Sequence, residues 1–368
     1  MIRRRLAGFP SKNHTLPMPS APHASSAPAS QPLPDLKDHR FALTGAAGFL
    51  GRHVIRLLHR QGARIIALRR AESRPLPDAT VQEAVIDLND EAACAQTLHD
   101  LRPDHVIHLA GYANTDRSVA SIVQALQVNL VGSINLVLGA MDRVPDCRVV
   151  VAGSMEAANP WQGPLALGSP YGMSKAMVEV LTGSLNRLYG TNVLNMRIGM
   201  AYGEDDPNHR RLVPSVILSL LQGRAPAIGN PGRLCDWIHA EDVAEALIRG
   251  ALLPQAEPAS IDVGNGRLGS IADVVAIIQR LLGTELPLQP VERLQRSNEQ
   301  ARCADLPAMT AALGAGIPAS VWRKVWPAPW RATTRSWPRR GDAMPGGTAP
   351  RRPHPEPDAA AFGHQPLK

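Results

Sequence analysis

The run FALTGAAGFLGRH at residues 41–53 restricts the fold more than any other stretch of the chain. Three apolar residues and a threonine lead into Gly45, Gly48 and Gly51, and helical apolar spacing follows at Val54, Leu57 and Leu58. A strand that turns this sharply into a helix needs positions without a Cβ. Such a turn leaves the N-terminal N–H groups of the helix open to an anion, and a pyrophosphate fits that description. Gly45, Gly48, Phe49, Leu50 and Gly51 are therefore assigned to a dinucleotide.

The rest of the first half repeats the unit. Short apolar runs at residues 64–68, 80–86, 105–109, 148–152 and 193–197 alternate with helical patterns at 91–101, 119–141 and 175–189. This alternation predicts an α/β fold, a doubly wound parallel sheet covered on both faces. After Gly203 longer helical patterns (212–221, 241–252, 271–282) mix with Pro- and Gly-rich loops, which predicts a smaller mixed C-terminal lobe. The expected division is an N-terminal extension over 1–39, a dinucleotide-binding domain over 40–203, a mainly substrate-binding lobe over 204–326 with segments returning to the first domain, and a tail over 327–368. Extension and tail are Pro-rich, have little to bury, and read as disordered. The N-terminus lacks the continuous apolar run of a secretory signal, and its prolines spoil the amphipathic helix of a transit peptide.

Charge bounds the partners. The net +7 resides in the ends, where residues 1–39 hold five Lys/Arg against two Asp and residues 327–368 hold seven against three acids. A neutral middle does not track phosphates, so no nucleic acid is expected as partner. No run of about 18 uninterrupted apolar residues occurs, so no membrane span is expected. The longest candidate, 122–141, is broken by Gln124, Gln127, Asn129, Ser133 and Asn135. Cys94, Cys147, Cys235 and Cys303 lie far apart, which reads as a reduced cytoplasmic protein without a disulfide scaffold or zinc site. His105 and His108, three apart on a strand, point to opposite faces and make no metal pair.

Two further stretches carry chemistry. The second strand ends in Arg69, at a place where an acid often binds the ribose hydroxyls of NAD. A guanidinium there would pair with a 2′-phosphate, which favours NADP over NAD. In SPYGMSKA, Tyr171 and Lys175 share one helix face. A phenol titrates near ~10, and a nearby ammonium and an oxidised nicotinamide favour its phenolate, which could exchange a proton with a sugar hydroxyl. Ser154, at the end of the preceding strand, could hold the same hydroxyl.

The segments TGAAGFLG, IDLND around Asp87, HLAG around Ala110, VNLVGSINLV around Asn129, AGSME, SPYGMSKA, DWIHAEDVAEAL and RSNE at 296–299 together resemble the extended short-chain dehydrogenase/reductases that modify nucleotide sugars. The resemblance runs from about Arg40 to about Leu313. It implies a Rossmann-type cofactor domain and a lobe that clamps a nucleotide-diphosphate sugar. It implies Ser154, Tyr171 and Lys175 as catalytic residues, Asp87, Leu88 and Ala110 beside the cofactor, and Asn129 supporting the active-site helix. Arg233, Arg296 and Glu299 fall to the substrate, and the helices at 119–141 and 175–189 to a homodimer interface.

Within the family the chain looks most like reductases of GDP-bound 4-keto-6-deoxy sugars. That implies hydride transfer at C4, by a reductase or a 4-epimerase. Members that eliminate water between C5 and C6 carry Thr-Asp-Glu or Thr-Ser-Glu where this chain has Ser154-Met155-Glu156. Met155 has no proton to give. Glu156 stays among the candidate catalytic residues, reading first as a partner of Ser154 or a loop amide and second as the C5 base of a 4,6-dehydratase. Met200 and Cys235 depart from the family pattern near the sugar nucleotide. A non-catalytic cofactor sensor or RNA-associated scaffold of the same fold is the rival from another class, supported only by the basic tails.

Overall fold

The apolar runs become central strands because helices cover both of their faces. The computed structural model describes residues 32–114, 118–157, 168–254, 259–291, 300–314 and 317. Its chain begins Arg40–Thr44 (β1), Phe49–Arg60 (α1), Arg64–Arg69 (β2), Gln82–Val85 (β3), Glu91–Leu101 (α2) and His105–His108 (β4). Val119–Ala125 (α3) runs through a π-helical segment, Leu126–Val131, into Gly132–Arg143 (α4). Arg148–Ser154 (β5), Pro170–Tyr189 (α5), Val193–Ile198 (β6) and Met200–Tyr202 (β7) follow. The remainder is Leu212–Leu221 (α6), Ala227–Ile228 (β8), Leu234–His239 (β9), Ala240–Leu252 (α7), Ser260–Val263 (β10), Leu268–Ser270 (β11), Ile271–Leu282 (α8), Gln289–Pro290 (β12) and Leu306–Leu313 (α9).

The main sheet has seven strands in the order β10-β6-β5-β4-β1-β2-β3, every pair parallel. Its order reverses between β1 and β4, and ligands of open α/β sheets bind at the carboxyl ends of strands at such a point. One face packs on α1 and α7 through Val54, Leu58, Val243 and Leu247. The other packs on α2, α4 and α5 through Leu98, Leu136, Val137 and Val178. The smaller part has its own core, where Trp237 and Cys235 of β9 meet Val216 and Ile217 of α6 and Val274 and Ile278 of α8.

After Gly203, α7 packs on the main sheet, and β10 extends that sheet beside β6. Against the expected disorder, the end of the N-terminal extension is packed. Leu36 is fully buried and its N–H donates to the Gln61 carbonyl at 2.8 Å, because the end of α1 offers both an apolar wall and an orphan carbonyl. The other residues of the expected extension, 1–31, and the basic tail, 327–368, lie outside the described residues. The run Val119–Arg143 is, by length and composition alone, apolar enough to cross a membrane. Of its polar residues Asn129 and Ser133 are buried, while Gln124 and Gln127 are exposed along with Val119 and Val123.

Candidate active site

The glycine turn sits at the reversal of the sheet. Gly45 has a φ of +69°, and a Cβ there would lie 2.8 Å from the Ala110 nitrogen. A Cβ on Gly51 would lie 2.3 Å from the Gly45 carbonyl oxygen, so only glycine lets the helix close onto the turn. Gly48 precedes α1 with no side-chain cap, and the first turn of α1 has no acid. Its orphan N–H groups and positive dipole end therefore face outward, which suits a pyrophosphate. Phe49 is buried beneath the turn and Leu50 half-buried. Asp87 is exposed and accepts from the Asn89 N–H at 2.9 Å, while the Leu88 carbonyl accepts from Asn135 Nδ2 at 2.9 Å. The cradle fits a dinucleotide.

Arg69 is paired with an acid. Its Nε donates to Glu83 Oε2 at 2.7 Å and its Nη1 to the Ser73 carbonyl at 3.1 Å. Glu83 is the neighbouring acid on β3, which pairs with β2, and it neutralises the guanidinium expected to select NADP.

Below the turn, Ser169 and Pro170 start α5. The Ser169 hydroxyl accepts from the Gly172 N–H at 3.0 Å, and proline tolerates the first helical position. This brings half-buried Tyr171 to Ser154 at the end of β5. Burial pushes the phenol up to about 12, the Glu156 carboxylate pushes the same way, and a hydrogen bond with Ser154 and the Arg211 guanidinium pull it down. Lys175 is buried, and its Nζ donates to the Ala152 carbonyl at 2.8 Å. It lies 6.0 Å from the Tyr171 ring centroid, and burial brings its ammonium down to about 8. Arg211 thus favours the phenolate, a cation not among those expected to do so. Asn129 Oδ1 accepts from the Tyr112 N–H at 2.6 Å, and its Nδ2 donates to Ser174 Oγ at 2.9 Å, which ties the π-helical segment to α5.

Glu156 is engaged on both oxygens. Oε2 accepts from the Ser169 hydroxyl at 3.2 Å, and Oε1 lies 3.7 Å from Arg233 Nη2, so the arginine expected at the substrate reaches this site. Arg296 and Glu299 lie outside the described residues. Met200 and Cys235 turn into the small core around Trp237. His105 and His108 do face opposite ways, one toward His39 and the other toward Thr44 and Ser133.

Two arginines escaped the sequence reading. Arg211 donates to the Ala201 carbonyl at 2.9 Å, pairs with Asp206 at 3.0 Å, and lies 5.1 Å over the Phe49 ring. Arg302 donates to the carbonyls of Met155 and Ala157 and so clamps the turn that carries Glu156. Arg302 has no local signal, because it acts on residues far away in the chain, and Arg211 has none for its contact with Phe49.

Fold and site together define a dinucleotide-binding α/β enzyme. The model of the NAD dependent epimerase/dehydratase family matches residues 41–264, and the chain belongs to that family. It is 29% identical over 293 residues to dTDP-glucose 4,6-dehydratase 1 of Escherichia coli K12, covering 70% of this chain and 80% of the relative. It is 25% identical over 290 residues to UDP-glucose 4-epimerase of Halalkalibacterium halodurans, covering 70% and 84%. Among solved structures, MoeE5 in complex with UDP-glucose and NAD superposes with a TM-score of 0.68 at 25% identity, covering 81% of this chain and 99% of that one. TunA, an NAD-dependent NDP-hexosamine 5,6-dehydratase, gives 0.66 at 26% identity, covering 76% and 92%.

Proposed function

We propose that this chain carries out hydride transfer at C4 of a hexose linked to a nucleoside diphosphate, as a 4-epimerase or 4-keto reductase. The observation that carries the reading is the meeting of Ser154 and Tyr171 below the glycine turn, with buried Lys175 on the same helix face. Bound NAD supplies the hydride donor or acceptor. Tyr171 gives its proton to the C4 oxygen in the reducing direction; Ser154 orients that oxygen. In the oxidising direction Tyr171 takes the proton as its phenolate, the form that the positive charge of Arg211 favours. Arg233, with Arg296 and Glu299 by motif, is assigned to the diphosphate end, where a bidentate cation suits a phosphate. NAD is preferred to NADP because Glu83 occupies Arg69.

Glu156 is read as a positioning residue rather than as the base of an elimination. Its carboxylate holds Ser169 and Arg233, and Met155 has no proton for a leaving hydroxyl. The second reading is a 4,6-dehydratase, favoured by the presence of that carboxylate and by the E. coli relative. NMR analysis of the products formed from UDP-, dTDP- and GDP-hexoses separates them. A C4 epimer, or reduction of a 4-keto sugar, is expected. A 4-keto-6-deoxy product from Glu156-intact enzyme, lost in Glu156→Gln, would establish the dehydratase. Tyr171→Phe is expected to lower turnover by about 10²–10⁴-fold; unchanged turnover would remove the C4 reading.

The same reading includes a homodimer in the cytoplasm. Val119 and Val123 of α3 and Met177, Val180, Leu181 and Leu188 of α5 are exposed, a two-helix apolar surface suited to a second copy. The four cysteines are free, which suits a reducing compartment.

A further inference from the structure

Thr44, His108 and Ser133 form a buried chain of hydrogen bonds between the glycine turn and the helix of Tyr171. Thr44 ends β1, His108 ends β4 and Ser133 lies on α4; none is more than 1% exposed. Thr44 Oγ1 lies 2.7 Å from His108 Nδ1, and it accepts from the Leu109 and Ala110 N–H groups, each at 3.1 Å. On the other side of the ring, His108 Nε2 lies 2.9 Å from Ser133 Oγ. The Ser133 hydroxyl donates to the Asn129 carbonyl at 2.5 Å. Asn129 Nδ2 donates to Ser174 Oγ at 2.9 Å, and Ser174 donates to the Tyr171 carbonyl at 2.8 Å.

The proton positions follow from either end. A hydroxyl has two lone pairs and one proton. At Thr44 two backbone N–H groups face the oxygen, so its proton goes to His108 Nδ1. At Ser133 the single proton goes to Asn129, so the oxygen accepts, and His108 Nε2 must carry a hydrogen. Both ends require the same neutral tautomer, with Nε2–H and a bare Nδ1. The other tautomer would set two donors against each other at Thr44 and leave two acceptors facing each other at Ser133. Burial, aided by the Lys175 charge, keeps the ring neutral.

There is little slack where the chain meets the turn, because the Cβ direction of Gly45 points at the Ala110 nitrogen and the Leu109 carbonyl carbon, each 2.8 Å away. We propose that His108 is a positioning residue for dinucleotide binding: Ser133 fixes its tautomer, the tautomer orients the Thr44 hydroxyl, and Thr44 pins residues 109–110 against the Gly45 turn. The proposal rests on the reading of that turn as the dinucleotide site. It gives Ser133, which hydrogen-bonds to no residue of the turn, an influence on affinity for the dinucleotide.

The test is calorimetric titration of NAD⁺ into the full chain, with thermal melts alongside, for wild type, Ser133→Ala, Thr44→Val and Thr44→Ser. Ser133→Ala and Thr44→Val are expected to weaken NAD⁺ binding by about tenfold, the scale of one buried hydrogen bond, while Thr44→Ser, which keeps the hydroxyl, stays within about twofold. Should Ser133→Ala not fold, the Thr44 pair carries the same test. Histidine-selective ¹⁵N NMR of the wild type is expected to show His108 as Nε2–H. Folded variants that melt lower yet bind NAD⁺ like the wild type would overturn the proposal alone, as would an Nδ1–H ring. A wild-type chain that binds no NAD⁺ would overturn the dinucleotide reading and the proposal together.

Discussion

At the scale of single residues, Gly51 is the sharpest case. Its missing Cβ would sit 2.3 Å from the Gly45 oxygen and 2.5 Å from the Ala46 oxygen, both backbone atoms that cannot swing aside. Gly51→Ala is expected to push α1 off the turn and weaken NAD⁺ binding by more than about tenfold, read by titration, because contacts to the pyrophosphate depend on close backbone approach. Two histidines give a second prediction. Burial, with the His39 charge, lowers His105 to about 4, and burial with the Lys175 charge lowers His108 to about 3. Both folded values lie below the unfolded value near ~6.5. The unfolded chain therefore binds more protons below pH ~6.5, and stability falls as pH falls, by up to about 1.4 kcal/mol per pH unit per histidine. Urea midpoints are expected to drop between pH ~6.5 and ~5, and more shallowly in His105→Gln. At this scale the glycine turn and the Tyr171–Lys175 spacing were legible, because each is set by neighbours in sequence. The fate of Arg69 was not, because its partner Glu83 arrives on the next strand of the sheet.

At the scale of elements, α5 shows how local signals and distant contacts combine. Ser169 and Pro170 start the helix and Gly190, at φ +66°, ends it; the apolar pattern at 175–189 catches the end, while the start lies five residues earlier at the cap. What holds it in place lies outside that pattern. Arg197 of β6 donates to Glu179 of α5 at 2.6 Å and to Asp262 of β10 at 2.5 Å, a triad across three elements in which Arg197 and Glu179 are buried and Asp262 half-buried. Asn129 reaches α5 from a π-helical segment inside a pattern that predicted one uniform helix. Periodicity shows which face is buried and is blind to one extra residue in a turn. Ser169 joins the two kinds of constraint, since it caps α5 and also donates to Glu156. Ser169→Ala is expected to cost about 1 kcal/mol of stability from the lost cap. It should also lower kcat more than it raises KM for the nucleotide sugar, because Tyr171 sits in the first turn, beside the released cap. An unchanged kcat in the folded variant would show that the cap is only structural.

At the scale of the whole molecule, the two cores are unequal in what they expose. Helices α1 and α7 cover one face of the main sheet, while on the other face α3 and α5 keep large apolar side chains outward; Val119 is 78% exposed and Leu188 71%. These residues do not serve the dinucleotide turn, and water solvates them poorly. Pairing the same two helices from a second copy about a twofold axis would bury both rows in one self-complementary contact. That contact would adjoin the helix that carries Tyr171 and Lys175, so assembly would stiffen the site from behind. Light scattering of the full chain is expected to give twice the mass of one chain. Val123→Asp with Leu188→Asp is expected to halve it, because four carboxylates would then face one another in the contact. The double variant should keep its NAD⁺ affinity, since neither residue lies near the glycine turn, and should lose turnover only to the extent that α5 depends on its partner. A wild type that scatters as one chain at micromolar concentration would leave this apolar face without a second copy to cover it.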